Sequence, residues 1–76
     1  MSEADRIRWH CRRGMLELDL VLAAFLERHF DALGPRSLAT LRKLLELPDP
    51  ELLDLVMGRG QAEGAEEREL VALMRG

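Results

Sequence analysis

The side chains best suited to catalysis or metal binding are few in this chain: one cysteine, Cys11, and two histidines, His10 and His29. A metal site needs several such ligands at converging positions, and no Cys-x-x-Cys or His-x-x-x-His spacing occurs. His10 and Cys11 are adjacent, so on a helix their side chains diverge and cannot act as base and nucleophile. The residues therefore predict no metal site and no catalytic residues, and we expect a protein that is not an enzyme.

Arginine is the most distinctive polar residue of the chain. Arginines outnumber the single lysine ten to one, and the first fourteen residues contain four of them, Arg6, Arg8, Arg12 and Arg13. Nucleic-acid-binding domains are usually strongly basic, whereas this chain has a net charge of −3, so we expect no nucleic acid as a partner. Guanidinium groups form bidentate pairs with carboxylates and stack on aromatic rings, which favours a protein interface.

Two residues near these arginines have more than one interpretation. Trp9 lies off the apolar stripe of the first predicted helix, so it is either an edge-packing side chain or an exposed anchor for a partner. Gly14 separates the first two predicted helices and brings Arg13 and Glu17 to one corner, where a small residue lets another backbone approach closely. The alternative, which the residues alone favour, is that Gly14 only caps a helix and that Arg13 and Glu17 form an exposed ion pair.

Glycine and proline divide the chain into five segments with helical periodicity, which predicts an all-α fold, a single small five-helix bundle over residues 1–76. The predicted helices are 2–14, 16–33, 37–47, 49–57 and 65–75. Ser2, Ser37 and Asp49 are expected to cap the first, third and fourth helices, with Pro50 at the first helical position.

The second predicted helix is the most apolar and should be the most buried. Leu18, Val21, Leu22, Phe25 and Leu26 share one broad face, and Leu20, Ala23 and Ala24 widen it. Met57 and Leu73 are expected to belong to the packing faces of the fourth and fifth helices.

The first residues, MSEADRIRW, lack the apolar stretch of a secretory signal, and Glu3 and Asp5 interrupt what would be an acid-poor transit peptide. A lone cysteine fits a reducing compartment. No run approaches the roughly 18 apolar residues of a membrane-spanning helix. We therefore expect a cytoplasmic protein with no direct membrane insertion.

The stretch from Arg12 to Asp19, RRGMLELD, narrows the functional interpretation. Its segment RGMLE, residues 13–17, resembles the Arg-Gly-x-x-Glu motif of the succinate dehydrogenase assembly factors that promote covalent flavinylation. The context from Arg6-Ile7-Arg8-Trp9 onwards is similar to the same family. A second block is similar to this family as well; it consists of Leu44-Leu45-Glu46 and Asp49-Pro50-Glu51-Leu52. The resemblance spans about residues 6–60, although Leu55 stands where the fourth helix of the family often carries a tryptophan.

Members of this family are small five-helix bundles that bind the flavoprotein subunit of succinate dehydrogenase, and often that of fumarate reductase. The resemblance implies a chaperone-like role, in which the flavoprotein attaches FAD to one of its own histidines and the factor favours the arrangement of domains that reacts. FAD then belongs to the flavoprotein and is not held stably by the factor, which we expect to be a monomer when free.

The motif places three residues at the centre of the implied interface: Arg13, Gly14 and Glu17. The neighbours on the adjoining helix and turn are Arg6, Arg8, Trp9, Arg12 and Met15. Gly14 would have to remain without a side chain so that the partner's backbone can approach it. An antitoxin-like or general protein-interaction module without a flavoprotein partner remains the alternative function.

Overall fold

The computed structural model describes residues 2–75. Within this range the chain forms five α-helices and one 3-10 turn: α1 (Glu3–His10), α2 (Leu16–His29), the 3-10 turn (Phe30–Ala32), α3 (Pro35–Leu45), α4 (Asp49–Val56) and α5 (Ala65–Met74). The prediction of an all-α five-helix bundle is confirmed. No helix in residues 2–75 is long and apolar enough to cross a membrane.

Helix α1 begins as predicted, at a capping box. The Asp5 N–H donates to the Ser2 hydroxyl oxygen at 3.1 Å, and the Ser2 N–H donates to the Asp5 carboxylate at 3.3 Å. These two bonds satisfy donors that have no partner within the helix. Helix α1 ends at His10, four residues before Gly14, and the turn that follows forms the corner described below.

Several predicted helix boundaries are wrong, and three of them have a clear physical reason. Helix α2 ends at His29, whose φ of −124° leaves the helical range, and a 3-10 turn continues the chain. Helix α3 begins at Pro35 rather than after Ser37, because proline needs no donor partner at the first helical position. Asp49 is the first residue of α4 and caps nothing, since its carboxylate pairs with Arg13; Pro50 is therefore second.

The core lies where α2, α3, α4 and α5 meet, with α2 packed on α4 and α5, and α5 also on α3. As predicted, Leu18, Leu22 and Phe25 of α2 are buried. Ile7 and Cys11 bring α1 and the following turn to the same cluster. The buried apolar residues are Ile7, Cys11, Leu18, Leu22, Phe25, Leu41, Leu44, Leu45, Leu52, Val56, Ala62, Leu70, Val71 and Met74.

Four residues expected in the core are exposed: Leu20, Ala23, Met57 and Leu73. Leu20 and Ala23 lie on the side of α2 opposite Leu18, Leu22 and Phe25, as a period of 3.6 residues requires. Helices α4 and α5 cover the side of α2 that carries Leu18, Leu22 and Phe25. The second apolar face, with Leu20 and Ala23, therefore stays at the surface.

Candidate functional site

The corner, residues 11–15, is the turn that joins α1 to α2. Gly14 adopts a φ of +80°, which residues with a side chain rarely do. Its N–H donates to the Asp19 carboxylate at 3.2 Å, and the N–H of Arg13 donates to the other oxygen of that carboxylate at 2.7 Å. A Cβ built on Gly14 would meet no atom within 4 Å, so the space beside Gly14 is open to another molecule.

The side chain of Arg13 turns into the protein and is only 15% exposed. Its Nε donates to Asp49 Oδ1 at 2.7 Å, and its Nη1 and Nη2 donate to the carbonyl oxygens of Leu45 and Leu47 at 2.6 Å each. Nη1 also donates to the His10 carbonyl at 3.2 Å. The expectation that Arg13 forms an exposed ion pair with Glu17 is wrong, because Asp49 is its partner.

The site residues in the corner and next to it differ in exposure. Glu17 is exposed in the first turn of α2, and Met15 is half-buried and packs against the core. Trp9 is 66% exposed, which decides between its two interpretations in favour of a surface side chain. Glu17 and Trp9 are therefore accessible to a partner, whereas most of Met15 is not.

A groove extends from the corner between α1 and α2, with a volume of about 780 Å³. Arg8 and Arg12 line it from the α1 side, and Leu20, Ala23 and Glu27 line it from α2. The Arg8 guanidinium carbon also lies 5.5 Å from the centre of the Phe30 ring, a cation–π contact that links α1 to the 3-10 turn after α2. The groove therefore has two arginines on one side and, on the other, apolar side chains of α2 together with the carboxylates of Asp19 and Glu27.

The exposed leucines of α2 are the candidate residues that the sequence analysis missed. Leu16 is 73% exposed and Leu20 is 61% exposed. Together with Ala23 and Glu27 they fall at spacings of four, three and four, which places all four on one helix face. In the sequence, the charged Glu27 on this face was the one indication that the face is exposed to solvent.

Arg6 lies apart from the other site residues. It lines a second, smaller groove with Glu3, His10 and Arg42, where Glu3 and Arg42 form an ion pair of 3.2 Å. The structure thus brings Arg8, Arg12 and Gly14 to one groove and places Arg6 at another.

Residues 5–76 match a family model described as the flavinator of succinate dehydrogenase. This chain belongs to that family. The FAD assembly factor SdhE of Vibrio parahaemolyticus is 50% identical over 62 residues, covering 82% of this chain and 72% of the relative. The factor of the same name from Pseudomonas aeruginosa is 40% identical over 73 residues, covering 96% and 87%.

The match confirms the predicted family. The Arg-Gly-x-x-Glu motif and the roles of its residues stay predictions. Leu55 is half-buried and packs against the core.

Cys11, the first residue of the corner, is a buried thiol. Burial raises the pKa of the Cys11 thiol from 9.0 to about 11; the nearby Arg13 charge lowers it and the Asp19 carboxylate raises it further. The thiol is thus protonated near pH 7 and is a poor nucleophile. Residues 2–75 contain no group of three or more His, Cys, Asp or Glu placed to hold a metal ion.

Proposed function

We propose that this protein is an FAD assembly factor that binds the flavoprotein subunit of succinate dehydrogenase and promotes that subunit's self-catalysed covalent attachment of FAD. The observation that carries the proposal is the open backbone at Gly14, with φ +80° and nothing within 4 Å of its Cβ position, beside the exposed Glu17. The names of the relatives and the description of the family support the same function.

On this proposal the protein acts by binding and is not itself an enzyme. A ligand that binds one arrangement of its partner more tightly than another shifts the population towards the first, tenfold for each difference of about 1.4 kcal/mol. Holding the flavin and its acceptor histidine in a reactive arrangement would then speed a step that the flavoprotein performs with its own groups.

FAD is proposed to stay with the flavoprotein and not to be held stably by this chain. The groove beside the corner is an open surface feature, and none of the described residues that line it is aromatic. It therefore offers no ring that could stack on a flavin.

The contact surface is proposed to centre on Gly14 and Glu17. Arg12, Arg8 and the exposed Trp9 would contribute from α1, and exposed tryptophan and arginine are the residues most enriched at the centres of interfaces. The exposed Leu16 and Leu20 would extend the contact along α2. We further propose that the fumarate reductase flavoprotein is a second partner, and that the protein is a cytoplasmic monomer when free.

The test is to produce the succinate dehydrogenase flavoprotein subunit with and without this protein and to measure flavin fluorescence in a denaturing gel. Only covalently bound flavin remains in such a gel, so the expected result is stronger fluorescence when the protein is present. Equal fluorescence in both samples would contradict the proposal. A pull-down from extract that recovers no flavoprotein would favour the antitoxin-like or general interaction module instead.

A further inference from the structure

The hydrogen bonds of Arg13 leave little of its side chain for another molecule. A guanidinium has five N–H donors, and four of them are used within this chain, by Asp49 and by the carbonyls of His10, Leu45 and Leu47. A bidentate pair with a partner's carboxylate needs two free donors side by side. Arg13 cannot form such a pair without giving up an internal hydrogen bond.

The same bonds join the corner to a stretch far from it in the sequence, the end of α3 and the start of α4. The Leu45 carbonyl lies at the end of α3 and the Leu47 carbonyl in the connection that follows, where a cation is favourable. Asp49 begins α4, and 36 positions separate it from Arg13. The Arg13–Asp49 pair therefore fixes the corner to the connection between α3 and α4.

Asp19 fixes the corner from its other side. Its two carboxylate oxygens accept the consecutive N–H groups of Arg13 and Gly14. The backbone of Gly14 is thus held between two anchors, the Asp19 carboxylate and the Arg13 side chain.

We infer that Arg13 is a positioning residue that works together with Asp49: the pair holds Gly14 and Glu17 in the geometry that the partner binds, and Arg13 does not itself contact the partner. The inference rests on the proposed function, because the partner is the succinate dehydrogenase flavoprotein subunit. It also gives a physical link between two sequence blocks, residues 13–17 and 49–52.

The inference is tested by measuring the affinity of four variants for that flavoprotein subunit: Arg13→Ala, Asp49→Ala, the double variant, and Asp49→Asn. Binding is measured at a temperature where circular dichroism shows each variant folded. We expect Asp49→Ala to weaken binding roughly tenfold or more, and the double variant to bind no more weakly than Arg13→Ala alone. Asp49→Asn keeps an acceptor oxygen for Arg13 Nε and should retain most of the affinity.

Val56→Ala is the matched control, because Val56 is a buried residue of the same helix, α4, and accepts none of the hydrogen bonds of the Arg13 side chain. It lowers stability without altering the Arg13–Asp49 pair, so it should bind nearly as the unmodified protein does. Wild-type affinity in Asp49→Ala would overturn the inference. Effects of Arg13→Ala and Asp49→Ala that add would also overturn it, since additivity means that the two residues act independently of each other.

Hydrogen exchange in the free protein separates this inference from the proposed function. The amide protons of Arg13 and Gly14 should exchange faster in Asp49→Ala than in the unmodified protein or in Val56→Ala. Unchanged exchange would overturn the role of the pair whatever the binding results. If the unmodified protein fails to bind the flavoprotein, the proposed function is overturned, and the exchange rates show whether the pair still holds the corner.

Discussion

Position 14 of the corner requires glycine because of its backbone conformation and not because a side chain would clash with the rest of the chain. Its φ of +80° is held by the hydrogen bond to Asp19, while the space beside it is empty of this chain's atoms. A side chain at this position would therefore strain the local backbone and would project towards any molecule bound at the corner.

Gly14→Arg and Gly14→Ala separate these two effects. Both variants should lose about 1–2 kcal/mol of stability from the positive φ and keep their helical circular dichroism. Only Gly14→Arg places a large side chain in the open space, so we expect it to abolish the increase in covalent flavin fluorescence while Gly14→Ala retains most of it. Gly14 does not cap α1, whose C-cap is Cys11. If Gly14→Arg nevertheless unfolds the protein, glycine is needed at this turn for folding, and the proposed interface role of Gly14 is contradicted.

Cys11 makes the stability of the protein sensitive to alkaline pH. The folded state favours the protonated thiol, whose pKa is about 11 against 9.0 when unperturbed, so its contribution is complete below pH 9 and is lost between pH 9 and 11. We expect the free energy of unfolding in urea to fall by up to about 2 kcal/mol over that interval.

Cys11→Ala is the control for this pH dependence. The chain contains no tyrosine and one lysine, Lys43, so few other side chains titrate in this range. The variant should show a clearly smaller fall in stability between pH 9 and 11. An identical pH profile in the variant and the unmodified protein would show that Cys11 is not the source.

Helices α1, α3 and α4 begin in two different ways. Helix α1 begins at a serine whose hydroxyl accepts a backbone hydrogen bond, whereas α3 begins at Pro35 after Gly34 and α4 at Asp49 after Pro48, without a side-chain cap. Proline at the first or second position removes a donor that would otherwise need a partner. A serine near a predicted helix start therefore predicted a side-chain cap correctly for α1 and wrongly for α3.

Ser2→Ala and Ser37→Ala should consequently differ in their effect on stability. Loss of the Ser2 cap should cost about 1 kcal/mol, because the Asp5 N–H loses its acceptor. Ser37→Ala replaces a residue inside α3 and should change the free energy of unfolding by less than about 0.5 kcal/mol. Urea unfolding of the two variants measures the difference; equal losses would contradict the assignment of the caps.

Across the whole molecule, α2 is the helix that connects the core to the candidate interface. One of its faces carries the buried Leu18, Leu22 and Phe25, and the opposite face carries the exposed Leu16 and Leu20. A helix that is apolar on both sides can pack on its own bundle and on a second protein at once.

Leu20→Ala and Leu22→Ala test this division of α2 into two faces. Leu22 is fully buried, so its truncation should lower the free energy of unfolding by about 2–5 kcal/mol. Leu20→Ala should change that free energy by less than about 0.5 kcal/mol and should instead weaken the complex with the flavoprotein. A large loss of stability in Leu20→Ala would show that this face is part of the core.

Local features of the chain were sufficient to predict the helical architecture, the capping box of α1 and the buried face of α2. Each of these rests on residues within a few positions of one another, where dihedral preferences, capping and a period of 3.6 residues act directly. The corner itself was recognised in the same way, because Gly14 and its neighbours Arg13 and Glu17 are consecutive or three residues apart.

Tertiary contacts decided what those residues do. Arg13 pairs with Asp49 and binds the carbonyls of Leu45 and Leu47, which lie 32–36 positions away and could not be chosen from spacing alone. The exposure of Leu16 and Leu20 likewise depends on which face of α2 the other helices cover. Periodicity describes one helix at a time, whereas burial and ion pairing depend on the packing of all five.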